Sequence, residues 1–225
     1  MCGRYTLTVP LSNLVDAFDV SPPEFEYGPR YNIAPTQLAP VVAQDARGWR
    51  LGLLQWGLVP SWAKDPSMGS RLINARSETV EEKPSFRSAF RRRRCLIPAD
   101  GFFEWKKEGS QKRPFWIHDP GGEPFAFAGL WEKWEPKRGD PLYTYSILTR
   151  EAVPEIRDIH PRMPVILPPS EWNLWTNTEA DVEGLAELLR EYRGPRLSSY
   201  PVSTRVNAAR NDDPTCIEPI SSGPS

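Results

Sequence analysis

The chain has 225 residues, 39% hydrophobic and 25% charged, and its 28 basic and 29 acidic side chains leave a net charge of −1. This is the composition of a globular protein long enough for a sizeable core; no apolar run approaches the roughly 20 residues of a membrane span, the N-terminus lacks the basic-then-apolar layout of a signal peptide, and an anionic partner would have to be held by a local patch. Three cysteines without CxxC spacing argue for a reducing, cytoplasmic compartment rather than a disulfide frame, and His118 and His160 as the only histidines argue against a zinc site.

In chain order, "GRYTLTV" alternates like a strand. Pro10 then opens an amphipathic helix over 10–19, with Leu11, Leu14, Val15 and Phe18 at helical spacing. "LAPVVAQD" and "WRLGLLQWGLV" read as strands, and "PSFRSAFRRRR" as a helix. Strands follow at "CLIPADGFFEW", "RPFWIH", "PFAFAGLWEKW", "YTYSILTR" and "MPVILP", separated by Gly- and Pro-rich turns. Two helices come next, "SEWNLWTN" with Ser170 as N-cap and "DVEGLAELLREY" with Leu185, Leu188 and Leu189 on one face, before a last strand at "YPVST". No repeat or domain-splitting linker interrupts the chain. The expectation is one α+β domain over residues 2–220, built on an antiparallel, barrel-like sheet with peripheral helices, followed by a disordered tail at 221–225.

Cys2 follows the initiator methionine directly. A small second residue favours removal of that methionine, which would leave an α-amine and a thiol two carbons apart. Such a 1,2-aminothiol condenses with an aldehyde to an imine, and the thiol then closes a five-membered thiazolidine. The two groups have ordinary pKa values near ~7.7 and ~8.5, so reactive free base exists at neutral pH, and an N-terminal nucleophile carries its own candidate base. A chance cysteine is the plain alternative. Asn74 can both donate and accept, or simply cap a turn; in an extended segment it shares a face with Arg76. Glu104 lies in the aromatic stretch "GFFEW", where apolar walls would raise its pKa, unless it faces outward. His160 is an imidazole with acid–base capacity near neutrality, or a surface histidine.

The segments "MCGRYTLT", "RYNIAPTQ", "WGLVPSW", "INARSET", "ADGFFEW", "HPRMPVIL" and "VSTRVN" occur in that order. Together they closely resemble the SRAP (SOS-response-associated peptidase) family, whose members shield abasic sites in single-stranded DNA, and the resemblance runs over essentially the whole chain up to the tail. It implies an aldehyde substrate, because an abasic deoxyribose opens to one. It also implies a catalytic set of Cys2, Asn74, Glu104 and His160, with Asn74 beside the N-terminal amine and the two titratable groups moving protons. Arg4, Arg76 and Arg162 match phosphate-clamping positions, and Trp62 a loop residue that stacks on a base or wedges into duplex.

The activity so implied is a thiazolidine crosslink to abasic single-stranded DNA, with weak abasic-site lyase action through the imine, no metal or nucleotide cofactor, no membrane, and a monomeric, DNA-associated protein. Two other readings use the same residues: a cysteine peptidase, acting on its own Met1–Cys2 bond or in trans, and a non-covalent single-strand binding module. The run Arg91–Arg94 closes a predicted helix, where cations suit the dipole; DNA contact is its alternative role. His118 and the tryptophans Trp116, Trp131 and Trp134 read as structural, and Cys95 and Cys216 as small buried hydrophobes.

Overall fold

The computed structural model describes residues 2–45 and 48–220; the predicted tail lies outside them. Its strands are β1 (Tyr5–Leu7), β2 (Arg30–Ile33), β3 (Leu38–Asp45), β4 (Gly48–Trp56), β5 (Asn74–Arg76), β6 (Arg94–Ala99) and β7 (Gly101–Glu108). Then follow β8 (Gln111–His118), β9 (Phe125–Trp134), β10 (Leu142–Glu151), β11 (Arg162–Pro164), β12 (Ile166–Leu167) and β13 (Ser198–Pro201). The helices are α1 (Leu11–Phe18), α2 (Arg87–Arg92), α3 (Pro154–Arg157), α4 (Pro169–Thr176) and α5 (Val182–Arg190).

The larger sheet closes on itself. Hydrogen-bonded neighbours run β10–β4–β3–β6–β9, and β9 pairs back onto β10, with Tyr145 opposite Trp131. This is the barrel-like sheet expected from the alternating strands. It is mostly antiparallel, but β4 and β5 both run parallel to β10. The apolar run of β9 explains its place in the ring: Phe125–Leu130 is buried on both faces, so it lacks the alternation of a half-wet strand.

The second sheet has the order β13–β8–β7–β1–β2. It is joined to the ring through Tyr5, which packs edge-on against Trp56 at 5.2 Å and Phe127 at 5.8 Å and whose hydroxyl lies 2.7 Å from that of Tyr145. All four rings are fully or almost fully buried, each contributing about 2–3 kcal/mol of hydrophobic stabilisation.

Several local expectations are corrected. "CLIPADGFFEW" is two strands in different sheets rather than one. The chain crosses at Asp100, whose carboxylate accepts hydrogen bonds from the Thr6 and Thr8 hydroxyls and the Thr8 N–H. "MPVILP" likewise divides into β11 and β12. Ser170 is not an N-cap: Pro168 holds that position with Pro169 first in the helix, a residue that needs no N–H partner there. Pro10 is the residue before α1, not its first turn. Asp181 does cap α5, accepting from the N–H groups of Glu183 and Gly184.

Candidate active site

Pairing of β1 with β7 sets Tyr5 opposite Phe102, and the Phe103 N–H donates to the Arg4 carbonyl at 3.0 Å. The chain start therefore runs alongside Glu104. Cys2 is fully buried, its Sγ 3.5 Å from the Arg4 carbonyl oxygen. Burial, and after it the nearby Glu104 charge, holds the thiol well above its ordinary range. From the other side comes Asn74, carried on β5 opposite Ile147 of β10. Its Nδ2 donates to the Cys2 carbonyl at 2.7 Å, while its buried Oδ1 has no hydrogen-bond partner among the described residues.

Glu104 is only 2% exposed, and burial pushes its carboxyl up to about 7. Its Oε1 lies 3.7 Å from Nδ1 of His160. The turn after α3 sets the imidazole in place, with the His160 N–H donating to the Ile156 carbonyl at 3.1 Å. Nδ1 also lies 2.8 Å from the Arg162 carbonyl and accepts from the Arg162 N–H at 3.1 Å. Burial lowers the pKa of His160. Burial thus favours the neutral form of both groups, a protonated carboxyl beside an unprotonated imidazole. The pair borders a groove of about 400 Å³ with Trp105, Lys112 and Asn207.

The predicted cations divide. Arg76 is exposed and, with Asn74, borders a cavity of about 260 Å³ that Lys83 and Phe86 also line, the shared face that their spacing implies. Arg4 is half-buried; its guanidinium donates to the carbonyls of Gly3 at 2.8 Å and Asn207 at 3.4 Å. Arg162 is engaged: Glu78 takes its two terminal nitrogens at 2.6 and 3.0 Å, and Thr149 accepts through its carbonyl at 2.6 Å. Trp62 is 58% exposed.

Of the arginine run, Arg91 and Arg92 close α2 in solvent, while Arg93 pairs with Glu132 at 2.7 Å. Arg94 is buried and donates to the carbonyls of Phe90, Trp175 and Asn177. His118 stacks on Trp116 at 4.3 Å, and Cys95 and Cys216 are buried, the structural roles expected of them. Trp116, Trp131 and Trp134 are partly buried rather than central in the core.

Reading the sequence alone passes over Glu78, Thr149, Trp105, Lys112 and Asn207. Three of them lie inside quoted motifs: Glu78 in "INARSET", Trp105 in "ADGFFEW" and Asn207 in "VSTRVN". Asn207 binds the site from a distant segment, its Oδ1 accepting from the Trp105 indole at 2.8 Å.

A closed, mostly antiparallel ring with a second sheet across it, and a cysteine at the chain start beside a carboxyl–imidazole pair, define an α+β protein with a cysteine-centred candidate active site. The same fold occurs in a solved protein from Bacteroides thetaiotaomicron (TM-score 0.87, 23% identity, 98% of this chain and 100% of that one). It recurs in a phage-related protein of Bordetella bronchiseptica (TM-score 0.72, 30% identity, 90% and 95%).

The chain belongs to the SOS response associated peptidase (SRAP) family, whose model matches residues 1–209. Among its relatives are the abasic site processing protein YoqW of Bacillus subtilis, 44% identical over 97% of this chain and 99% of that protein, and the abasic site processing protein HMCES of Gallus gallus, 37% identical over 89% and 69%.

Proposed function

We propose that this protein captures abasic sites in single-stranded DNA as a covalent adduct of Cys2. Once Met1 is removed, the Cys2 amine attacks the aldehyde of the ring-opened deoxyribose, water leaves and an imine forms. The thiol then adds to the imine carbon, its proton passes to the nitrogen, and a thiazolidine closes. Removal of a proton next to the imine carbon instead gives β-elimination and strand cleavage, a weak lyase side reaction. The names of the relatives point to the same substrate.

The observation that carries this reading is the convergence on Cys2 of Asn74, Glu104 and His160. Asn74 turns its Nδ2 to the Cys2 carbonyl, and its Oδ1 stands as an acceptor for an N–H of the Cys2 amine or a sugar hydroxyl. Opening the closed hemiacetal, expelling water from the carbinolamine and removing the α-proton each need an acid or base that works near neutral pH. A carboxyl at about 7 beside an imidazole meets that need.

The raised thiol favours this order of events over peptidase chemistry. A cysteine peptidase attacks with a thiolate whose pKa is depressed, whereas here burial and Glu104 disfavour the thiolate. Amine first and neutral thiol second suits such a site.

Intact mass spectrometry after incubation with single-stranded DNA carrying one abasic site tests the proposal. The expected product is the Met1-free chain plus the oligonucleotide minus one water. Cys2→Ser should give an adduct only when trapped with borohydride. A heat-stable Ser adduct at full yield would remove the thiazolidine, and no adduct with the unaltered protein would remove the covalent reading altogether.

A further inference from the structure

The guanidinium of Arg162 is occupied in a way that a phosphate-binding arginine should not be. Glu78 grips both terminal nitrogens, Thr149 takes further hydrogen bonds through its carbonyl and its hydroxyl at 3.2 Å, and the buried Nε has no partner among the described residues. A carboxylate in this two-pronged geometry presents the same pair of oxygens that a phosphodiester would present. A DNA phosphate can therefore reach Arg162 only by displacing Glu78.

The carboxylate has somewhere to go. Glu78 lines a groove of about 400 Å³ with Glu81, Glu82, Glu151, Arg150 and Arg190. Arg150 is held there by its guanidinium, which lies 5.7 Å over the Tyr192 ring and donates through NH2 to the Arg190 carbonyl at 3.1 Å. Its NH1 is buried without a hydrogen-bond partner among the described residues. A buried donor left unsatisfied on a cation costs more than an ordinary missing hydrogen bond. Arg150 already feels the Glu78 charge, so the two are within electrostatic reach across the groove.

We propose that Glu78 is an exchangeable phosphate mimic, bound to Arg162 when the site is empty and transferred to Arg150 when a single-stranded DNA phosphate takes Arg162. This rests on the DNA-binding part of the function proposed above. The exchange makes Arg162 selective. A single free anion meets an arginine already neutralised, while a strand anchored elsewhere on the protein can outcompete the carboxylate. The backbone N–H and carbonyl of Arg162 both touch Nδ1 of His160, so the exchange takes place one residue contact from the proton-transfer pair.

The test is a double-mutant cycle on equilibrium binding of a fluorescein-labelled oligothymidine without abasic sites, so that no covalent chemistry enters. Glu78→Gln removes the competing charge and should tighten binding about fivefold, the scale of a partly exposed ion pair. Arg150→Met removes the landing site and should weaken binding by about the same factor. In the Glu78→Gln background, Arg150→Met should change nothing, because no carboxylate remains to be received. Arg150→Lys, which keeps the cation, should behave as the unaltered protein. Unchanged or weaker binding by Glu78→Gln, or an undiminished Arg150→Met effect in the double variant, would overturn the exchange while leaving the proposed function standing. Failure of the unaltered protein to bind single-stranded DNA would overturn both.

Discussion

Glu104 combines acid–base capacity with a location that water scarcely reaches. With its carboxyl at about 7, it changes protonation in the range where the proposed reaction requires the Cys2 amine to lose a proton, near ~7.7 for an ordinary α-amine. Crosslinking should therefore rise with pH as the amine is freed and level or fall as Glu104 ionises. Glu104→Gln keeps the shape of the site but cannot transfer protons. It should slow single-turnover crosslinking by about a hundredfold or more and remove the Glu104 limb from the rate–pH profile. His160→Ala should slow the same step while DNA affinity stays within about twofold, since the imidazole is neutral there. A double variant with an unaltered rate and profile would show that neither group moves a proton. The surface cation on the Asn74 side of the site behaves differently. Arg76→Ala should weaken binding to all single strands alike and reduce the slope of log K against log salt by about 0.7, read by anisotropy across a salt series, with crosslink yield recovering at saturating protein.

β10 is the strand on which the site depends. β5 pairs with it at Ile147–Thr149 and delivers Asn74 and Arg76, while β11 pairs with it at Thr149–Glu151 and brings Arg162 beside His160. Glu104 arrives from the other sheet on β7, whose placement depends on the crossing at Asp100. Gly101 follows that crossing, and a Cβ there would collide with the Trp116 indole, which lies directly over the glycine. Gly101→Ala should lower the urea midpoint by the equivalent of about 1–3 kcal/mol and slow crosslinking as well, because the Trp116 indole it displaces is packed against His118 and Tyr200 and hydrogen-bonded to Thr6 of β1 in the same sheet. Full activity with an unchanged midpoint would show that β7 is not fixed by this contact. Alternation and turn residues made most of these strands legible in the sequence. The crossing was not, because "CLIPADGFFEW" is apolar on both sides of Asp100 and its two halves differ only in partners that lie far along the chain. Cys2, Asn74, Glu104 and His160 could be named from residue chemistry and from ordered motifs. Glu78 and Arg162, 84 positions apart, leave no periodic signal, since an ion pair made by tertiary folding has no spacing rule.

The two titratable groups at the centre of the site also leave a mark on the stability of the fold as a whole. The folded carboxyl of Glu104 is raised from 4.5 to about 7, so its contribution is fully present below about pH 4.5 and is lost as pH rises through about 7, where folding must bury a charge that the unfolded chain leaves in water. His160 acts in the opposite sense. Its folded pKa lies below the ordinary 6.5, so its contribution is present above about 6.5 and is lost as pH falls below that value. Glu104 therefore lowers stability progressively from about pH 4.5 to about 7, and His160 opposes it only in the part of that range just below about 6.5. The unaltered protein should lose stability between about pH 4.5 and about 7 and then level off. Glu104→Gln should lack that fall and exceed the unaltered protein at about pH 8 by up to about 3 kcal/mol, the full linkage of a buried group so displaced. In the same variant the His160 slope is unmasked, and stability should rise with pH as far as about 6.5 and then stay level. Urea midpoints measured from about pH 5 to about pH 8 for both proteins decide the matter: parallel curves would mean that Glu104 carries an ordinary carboxyl pKa, and its place as the proton carrier of this site would fall with it.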